Sequence, residues 1–80
     1  MDDWSDWQVV HEAWEAGSFT EAAARLGVGQ ATVSRRVARL EERLGVALFD
    51  RHQSGLVPTE AAHRLRPHLQ AIRAAADGAE

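Results

Sequence analysis

Apolar positions along the first part of the chain recur with the period of an α-helix. The spacing predicts a first helix over about residues 6–15, with Ser5 or Asp6 as its N-cap. A second helix begins at Ser18, because Ser18 and Glu21 stand at the spacing of a capping box. The apolar faces of these two helices comprise Trp7, Val10, His11 and Trp14 in the first, and Phe19, Ala22, Ala23 and Leu26 in the second.

A third helical stretch follows the second after a short turn that contains Gly27 and Gly29. Its apolar stripe must face a core, whereas the opposite face begins with small and polar residues. Such residues permit a close approach to a groove and supply hydrogen-bonding groups for base edges and phosphates. Two short amphipathic helices of this kind, joined by a tight turn, predict a helix-turn-helix. The stripe comprises Val33, Val37, Leu40 and Leu44, and the outward face with its shoulders comprises Gln30, Ala31, Thr32, Ser34, Arg35, Arg36, Ala38, Arg39 and Glu42.

The period changes after Gly45, where two short apolar segments flank a stretch of turn-forming residues. This pattern predicts a β-hairpin, the wing of a winged helix, with Pro58 limiting its second strand to an edge. Thr59 is the predicted N-cap of a last helix that ends near Gly78 and bends at Pro67. The apolar residues of that helix follow the spacing of a coiled-coil seam, which either meets a second copy of the chain or packs on the first helix. The seam comprises Ala62, Leu65, Leu69, Ile72, Ala76 and Ala79.

Composition narrows the class of protein. A chain of 80 residues is one small domain, and the absence of cysteine excludes a disulfide framework and a thiolate metal site. The net charge of −3 argues against a nucleic-acid partner, but residues 25–66 carry eight arginines against four acids, whereas residues 1–24 carry six acids and no arginine. Positive charge therefore falls on the helix-turn-helix and the wing. No segment has the apolar length of a membrane span or the pattern of a signal peptide, so we expect a cytoplasmic protein without a membrane partner.

Nothing in the sequence predicts catalysis. No glycine-rich phosphate loop follows a strand, and no nucleophile, base and orienting acid stand at a useful spacing, so we expect neither an enzyme nor a cofactor. His11 and Glu15 share a helical face, but without a third ligand a partly buried, hydrogen-bonded histidine is the simpler interpretation, and no metal site is assigned. Trp4, Trp7 and Trp14 are expected in the core or facing a dimer partner.

The run from Ala16 to Arg51, followed by PTEAA, resembles the N-terminal DNA-binding domain of LysR-type transcriptional regulators. The resemblance implies a mainly α fold: a winged helix-turn-helix with a three-helix core and a short β-hairpin wing in residues 1–58, followed by a long linker helix in residues 59–80. It also implies a bacterial transcription factor whose dimers pair through the linker helix and read a dyad-symmetric promoter site in double-stranded DNA. The shared elements are GSF at 17–19, VS at 33–34, LE at 40–41, LG at 44–45, LF at 48–49 with Arg51, and TEA at 59–61.

The resemblance further implies the residues that contact DNA and the dimer partner. Base recognition is expected from Gln30, Thr32, Ser34 and Arg35, and contacts with the DNA backbone from Ser18, Arg36, Arg51 and Thr59. Arg39, on the outward face of the third helix, joins the expected DNA-binding set. Dimer contacts are expected from Leu65, Leu69, Ile72 and Ala76.

Three positions depart from the family pattern, and one domain is expected to be missing. Gly29 stands where the family usually has Ser and Ala31 where Pro is frequent, so the predicted recognition helix lacks a side-chain N-cap. Ala62 replaces a usual Gly at the start of the linker helix. We expect the effector-binding domain, through which such regulators sense a small-molecule inducer, to be absent from this chain.

The sequence leaves two other interpretations open. A winged helix that docks proteins would expose Leu, Met or aromatic anchors on the outward face of the third helix, where this chain has Ala31, Ser34 and Arg35. A MarR-like regulator would share the winged topology, although the run LE..LG..LF.R favours the LysR type.

Overall fold

The computed structural model describes residues 2–78, with the side chains of residues 6–71. It has the mainly α architecture predicted from the sequence, a three-helix unit with an antiparallel two-stranded wing and a long final helix. The elements are α1 (Asp2–Ala16), α2 (Phe19–Leu26), α3 (Gln30–Leu44), β1 (Phe49–His52), β2 (Gly55–Pro58) and α4 (Glu60–Gly78).

Helix α1 begins earlier than the sequence predicted. It starts at Asp2, so Ser5 and Asp6 lie inside the helix and the prediction that one of them is the N-cap was wrong. The carboxylate of Asp6 accepts hydrogen bonds from arginine side chains of α3. It therefore serves the contact between two helices and not the end of its own.

The ends of α2 and α3 follow the sequence prediction. The Ser18 hydroxyl oxygen accepts a hydrogen bond of 3.2 Å from the Glu21 amide and caps α2. Gly27 ends α2 and Gly45 ends α3, both in the left-handed conformation, with φ of 71° and 74°. At the start of α3, Gly29 provides no side-chain cap, as its lack of a side chain predicted.

The core lies between α1, α2 and α3 and is closed by the start of the wing and of α4. On α1, Val9 and Ala13 are buried beside the predicted Trp7 and Val10, whereas Trp14 is half-buried. The predicted apolar face of α1 is therefore rotated toward Val9 and Ala13. The buried apolar residues are Trp7, Val9, Val10, Ala13, Phe19, Ala22, Ala23, Val33, Val37, Leu40, Leu48, Phe49 and Ala62.

The wing is fixed to the turn between α1 and α2. The Leu56 amide donates a 3.1 Å hydrogen bond to the carbonyl oxygen of Gly17. Gly55 has a φ of +132°, and a Cβ atom at this position would lie 2.8 Å from the same carbonyl oxygen. Only glycine satisfies both the backbone angle and the close approach, so the base of β2 is held in one place relative to the helix-turn-helix.

Helix α4 packs its first half on α1. Ala62 is buried, and Leu65 and Leu69 are half-buried against the core of the same chain. The guanidinium of Arg66 lies 4.5 Å from the centre of the Trp14 ring and donates a 3.1 Å hydrogen bond to Glu15.

In its first half, the seam of α4 therefore packs on the first helix of the same chain, which is the second of the two interpretations given above. The side chains of Ile72 and Ala76, and the whole of Ala79, lie outside the described residues. Helix α4 continues through Pro67 to Gly78. Within residues 2–78, no helix is both long and apolar enough to cross a bilayer.

Candidate nucleic-acid interface

The outward face of α3 is uncovered by the described part of the chain. Ala31, Arg35 and Ala38 are exposed, while Val33 and Val37 on the opposite side are buried in the core. Among the described side chains, the large apolar residues that are exposed are Val28 and Val57, and neither belongs to α3. The outward face therefore lacks the apolar anchors of a protein-docking surface. Of the other predicted recognition residues, Gln30 is exposed, and Thr32 and Ser34 are half-buried on the shoulders.

A concave surface lies between the start of α2, the start of α3 and the wing. It is lined by the predicted DNA-binding residues Ser18, Gln30 and Arg51, together with Thr20 and His52. Amide groups at a helix N-terminus favour an anion, and a guanidinium adds a full positive charge. The fold thus brings residues that are far apart in the sequence to one surface suited to a phosphate group.

Arg51 connects the wing to α3 at this surface. Its Nη2 atom donates a 3.3 Å hydrogen bond to the Ser34 hydroxyl oxygen, and its guanidinium carbon lies 4.8 Å from the centre of the Phe19 ring. Because the Ser34 oxygen accepts this bond, its own hydroxyl proton is free to be donated in another direction. The contact therefore joins the wing to the shoulder of α3 on which Ser34 lies.

Glu41 fixes the loop that leads from α3 into the wing. Its Oε2 atom accepts hydrogen bonds from the amides of Leu48, at 2.7 Å, and Phe49, at 3.4 Å. The sequence singled out this residue only as part of the LE element and gave it no role. The amides of Leu48 and Phe49 each require a hydrogen-bond acceptor, which the sequence indicates in general terms. Only the fold shows that this acceptor is Glu41, seven residues before Leu48.

Thr59 is committed to contacts within the chain. Its hydroxyl donates a 2.7 Å hydrogen bond to the carbonyl of Ala47 and accepts one of 3.0 Å from the amide of Ala62. The second bond is the predicted N-cap of α4. Together they tie the start of α4 to the segment before β1, and a DNA contact by Thr59 stays a prediction.

On the other side of α3, three of its arginines converge on one carboxylate of α1. Asp6 is fully buried. Arg39 donates to it from Nε, at 3.1 Å, and from Nη2, at 3.0 Å, while Arg43 lies at 2.6 Å and Arg36 at 3.4 Å. The arginine side chains are 35% to 45% exposed, so the cluster has a buried acid and a half-exposed cationic rim. We call these four residues the Asp6 cluster.

The Asp6 cluster keeps its acid ionised. Burial acts to raise the pKa of Asp6, but the hydrogen bond from Arg39 and the positive charges of Arg39, Arg43 and Arg36 outweigh it, so the pKa lies below the ordinary value. Arg36 and Arg39, both predicted to contact DNA, thus already bind a buried carboxylate. Arg39 was expected on the outward face of α3, but its guanidinium is directed toward α1 by the bidentate bond to Asp6. Within the described residues, Arg35 is the arginine of α3 that makes no hydrogen bond or ion pair in the chain.

The histidine on α1 does not form a metal site in the described residues. No group of three potential metal ligands occurs among them. His11 is half-buried, its ring centre lies 5.9 Å from that of Trp7, and its buried Nδ1 atom has no hydrogen-bond partner. The expected hydrogen bond of this histidine is therefore not made through Nδ1.

Comparison with known families decides between the interpretations of the winged fold. Residues 4–63 match the family described as bacterial regulatory helix-turn-helix protein, lysR family. The chain belongs to the LysR family. This agrees with the resemblance carried by the sequence motifs and sets aside the MarR-like alternative.

The relatives that the chain resembles in this family are regulators of transcription. The chain is 51% identical over 63 residues to the transcriptional activator AmpR of Rhodobacter capsulatus, covering 79% of this chain and 22% of that protein. It is 50% identical over 65 residues to the probable nitrogen assimilation transcriptional activator of Synechococcus elongatus, covering 81% of this chain and 21% of that protein. The chain thus spans about a fifth of the length of these relatives.

Solved structures of the LysR family include similar domains bound to DNA. The CbnR DNA-binding domain in complex with DNA matches with a TM-score of 0.89 at 30% identity, over 95% of this chain and 87% of that chain. The BenM DNA-binding domain in complex with catB site 1 DNA matches with a TM-score of 0.85 at 27% identity, over 94% and 84%. The winged helix-turn-helix of this chain is therefore the fold of LysR-family DNA-binding domains.

Proposed function

We propose that this chain is the sequence-specific DNA-binding domain of a LysR-type transcriptional regulator, in which the N-terminal end of α3 enters the major groove. The observation that carries the proposal is the outward face of α3. It is exposed, built from small and polar residues around Arg35, and lies beside the concave surface that holds Ser18 and Arg51. Because bacterial DNA lies in the cytoplasm, a protein that binds it is proposed to act there.

Base reading is proposed for residues near the start of α3. Arg35 has the donors for a bidentate contact with guanine and Gln30 the groups for one with adenine, each providing about 1 to 3 kcal/mol of discrimination. Thr32 and Ser34 extend this set on the shoulders of the helix. Ser18 and Arg51 are proposed to bind phosphates of the DNA backbone, as in the general division between positioning and reading contacts.

Three other predicted DNA contacts carry competing bonds. Arg36 and Arg39 bind Asp6, and Thr59 binds Ala47 and Ala62. A phosphate contact by any of them must use the donors that these bonds leave exposed. We therefore rank these residues below Arg35 and Arg51 in the proposed interface.

Binding of the isolated chain to DNA at increasing salt concentrations tests the proposal. We expect binding to a random duplex that weakens steeply with salt, because neutralised phosphates release counterions, and tighter binding to a dyad-symmetric promoter fragment. Absence of binding to either duplex at low salt would reject the proposal and favour a protein-docking winged helix.

Two substitutions separate base reading from backbone contact. Arg35→Ala should reduce the discrimination between promoter and random DNA by about 1 to 3 kcal/mol, because it removes a base contact. Arg51→Ala should weaken binding to both duplexes by similar factors, because phosphates are present in every sequence. Equal losses on both duplexes for Arg35→Ala would remove Arg35 from base reading.

We also propose that residues 1–58 bind DNA while residues 59–80 form the linker helix through which two chains pair. Leu65 and Leu69 are only half-buried against their own core, and the seam continues through Ile72 and Ala76. Paired linker helices would set the distance between two recognition helices on successive half-sites. A small-molecule inducer would act through an effector domain outside this chain.

Sedimentation of the free chain tests the pairing. Wild type is expected as a dimer and Ile72→Asp as a monomer, because the substitution places a charge in the seam. Gln70→Asp, at an exposed position of the same helix, adds the same charge and should remain a dimer. A monomeric wild type would show that residues 59–80 are not sufficient for pairing.

A further inference from the structure

Asp6 contacts α3 through the side chains of Arg36, Arg39 and Arg43, and the proposed function gives it no role. We infer that Asp6 limits the affinity of α3 for DNA of any sequence by holding Arg36, Arg39 and Arg43 against α1. Asp6 would thus be a positioning residue that determines specificity without contacting DNA. This inference rests on the proposed DNA binding.

The direction of the hydrogen bonds supports this role. Arg39 uses both Nε and Nη2 on the carboxylate of Asp6, which is the bidentate arrangement in which a guanidinium would otherwise grip a phosphate. Arg43 and Arg36 each direct one Nη atom to the same group. The donors best suited to a phosphate are therefore turned toward α1.

Burial of the acid makes these bonds hard to exchange for a phosphate contact. Asp6 has no exposed surface, so a guanidinium that left it would leave a buried negative charge with fewer partners. The phosphate would have to compensate for that loss in addition to the ordering of the side chain. A carboxylate already in place inside the protein is the stronger competitor.

The consequence concerns the balance between reading bases and neutralising phosphates. Helix α3 carries four arginines, and three of them share Asp6, so Arg35 is the one that the fold directs outward. Arginines bound to phosphates raise the affinity for every sequence equally. By occupying three guanidinium groups, Asp6 keeps that common affinity low relative to the contribution of base contacts.

Removal of the carboxylate charge tests the inference in the intact chain. For Asp6→Asn we expect binding to a random duplex to become stronger by about threefold or more at low salt, with a log–log salt slope steeper by about 0.9 for each phosphate gained. The ratio of promoter to random affinity should fall. Binding curves on both duplexes, at several salt concentrations, measure the two quantities together.

A matched control separates this effect from a simple change in net charge. Glu12→Gln also removes one negative charge from α1, but Glu12 faces Arg25 of α2, at 3.9 Å, and not α3. The control is expected to keep the wild-type salt slope. A slope for Asp6→Asn equal to that of Glu12→Gln would overturn the inference.

A second variant keeps the test decisive if circular dichroism shows that Asp6→Asn does not fold. Arg43→Gln leaves Asp6 with Arg36 and Arg39. It should weaken binding to a random duplex by less than about twofold, whereas Arg51→Gln should weaken it by about threefold, the effect of one phosphate contact. A loss for Arg43→Gln as large as that for Arg51→Gln would show that Arg43 binds DNA and would refute the role of Asp6.

Failure of the inference and failure of the proposed function give different results. A wild-type chain that binds no DNA at low salt refutes the function itself. A wild-type chain that binds DNA with a clear salt dependence, together with an unchanged slope for Asp6→Asn, refutes only the role of Asp6.

Discussion

The two sides of α3 are fixed by different kinds of interaction. On the side that faces α1, three guanidinium groups surround the buried carboxylate of Asp6. On the side that faces the wing, Glu41 accepts hydrogen bonds from two backbone amides and Ser34 accepts one from Arg51. Arg35, on the outward face between these two sides, makes no such contact. The helix is therefore fixed about its own axis while its outward face stays exposed.

This contrast shows how a recognition helix can be anchored without using its outward face. The Asp6 cluster is a network of full charges around a desolvated acid, and its stability depends on that acid being ionised. The wing side relies mainly on backbone amides of a loop that donate to Glu41. The two sides should therefore respond differently to substitution.

The largest effect on stability is expected from the α1 side. Asp6→Asn should lower the free energy of unfolding by about 2 to 3 kcal/mol, because the charge-assisted hydrogen bonds of a buried group are weakened while the arginines remain half-exposed. Urea unfolding followed by circular dichroism measures the change. Glu12→Gln, which disturbs only a surface ion pair, should change it by less than about 1 kcal/mol. Similar losses for the two variants would mean that the Asp6 cluster is not the main anchor.

Acid should weaken the Asp6 cluster. The pKa of Asp6 is lowered in the folded chain, so its contribution to stability is fully present above the ordinary value of 3.8 and is lost as the pH falls through the folded value. The difference in unfolding free energy between wild type and Asp6→Asn should therefore be constant from about pH 5 to 7 and shrink below about pH 4. A difference that persists unchanged into strong acid would contradict the ionised state of Asp6.

A smaller effect is expected from the backbone contacts on the wing side. Glu41→Gln retains an oxygen acceptor but loses its charge, so the free energy of unfolding should fall by about 1 kcal/mol. Glu42→Gln is a suitable control, because Glu42 is the adjacent residue and is exposed. Amide hydrogen exchange at Leu48 would report the local change directly. Equal exchange rates in wild type and Glu41→Gln would show that the short hydrogen bond does not hold this loop.

The smallest effect on stability is expected at the contact between Ser34 and Arg51. Ser34→Ala should change the free energy of unfolding by no more than about 0.5 kcal/mol, because the bond is exposed. The side-chain signals of Arg51 in NMR spectra should nevertheless broaden or shift, since the guanidinium loses one of its two contacts. Ser54→Ala, at the exposed tip of the wing, should leave those signals unchanged. A loss of more than 1 kcal/mol for Ser34→Ala would make this contact a structural anchor.

Local signals predicted most of the fold. Ser18, Gly27 and Gly45 mark helix ends through short-range chemistry, and the periodic apolar stripe of α3 is buried as predicted. The positions of these residues are decided within a few neighbours along the chain. The sequence could therefore predict the elements and the free face of α3 without knowledge of the tertiary structure.

The Asp6 cluster was not predicted from the sequence, because Asp6 is separated by 30 to 37 residues from the arginines that bind it. A signal was nevertheless present. Asp6 lies on the same helical face as Val10 and Ala13, and an acid on a buried face requires a cationic partner. Arg36, Arg39 and Arg43 follow one another at helical spacing along one edge of the apolar stripe of α3. From the sequence, the charge of the third helix is assigned only to a DNA-binding surface, although three of its four arginines bind an acid inside the domain.

The seam of α4 illustrates a different limit. Its spacing was compatible with pairing between chains and with packing on α1, and sequence periodicity cannot separate two apolar surfaces. The fold assigns Leu65 and Leu69 partly to the core of their own chain. The aromatic and cationic contacts of Trp14 with His63 and Arg66, which orient α4, combine residues from both ends of the chain.

The close approach of Gly55 to Gly17 fixes the base of the hairpin, whereas the tip of the hairpin is an exposed turn. A side chain at Gly55 would strike the carbonyl of Gly17, whereas Gln53 and Ser54 are exposed at the tip. Extra residues inserted at the tip would lengthen the wing without displacing its base from the turn between α1 and α2. Wings of different lengths can therefore be built on one base, with the start of β2 held at the same place relative to the helix-turn-helix.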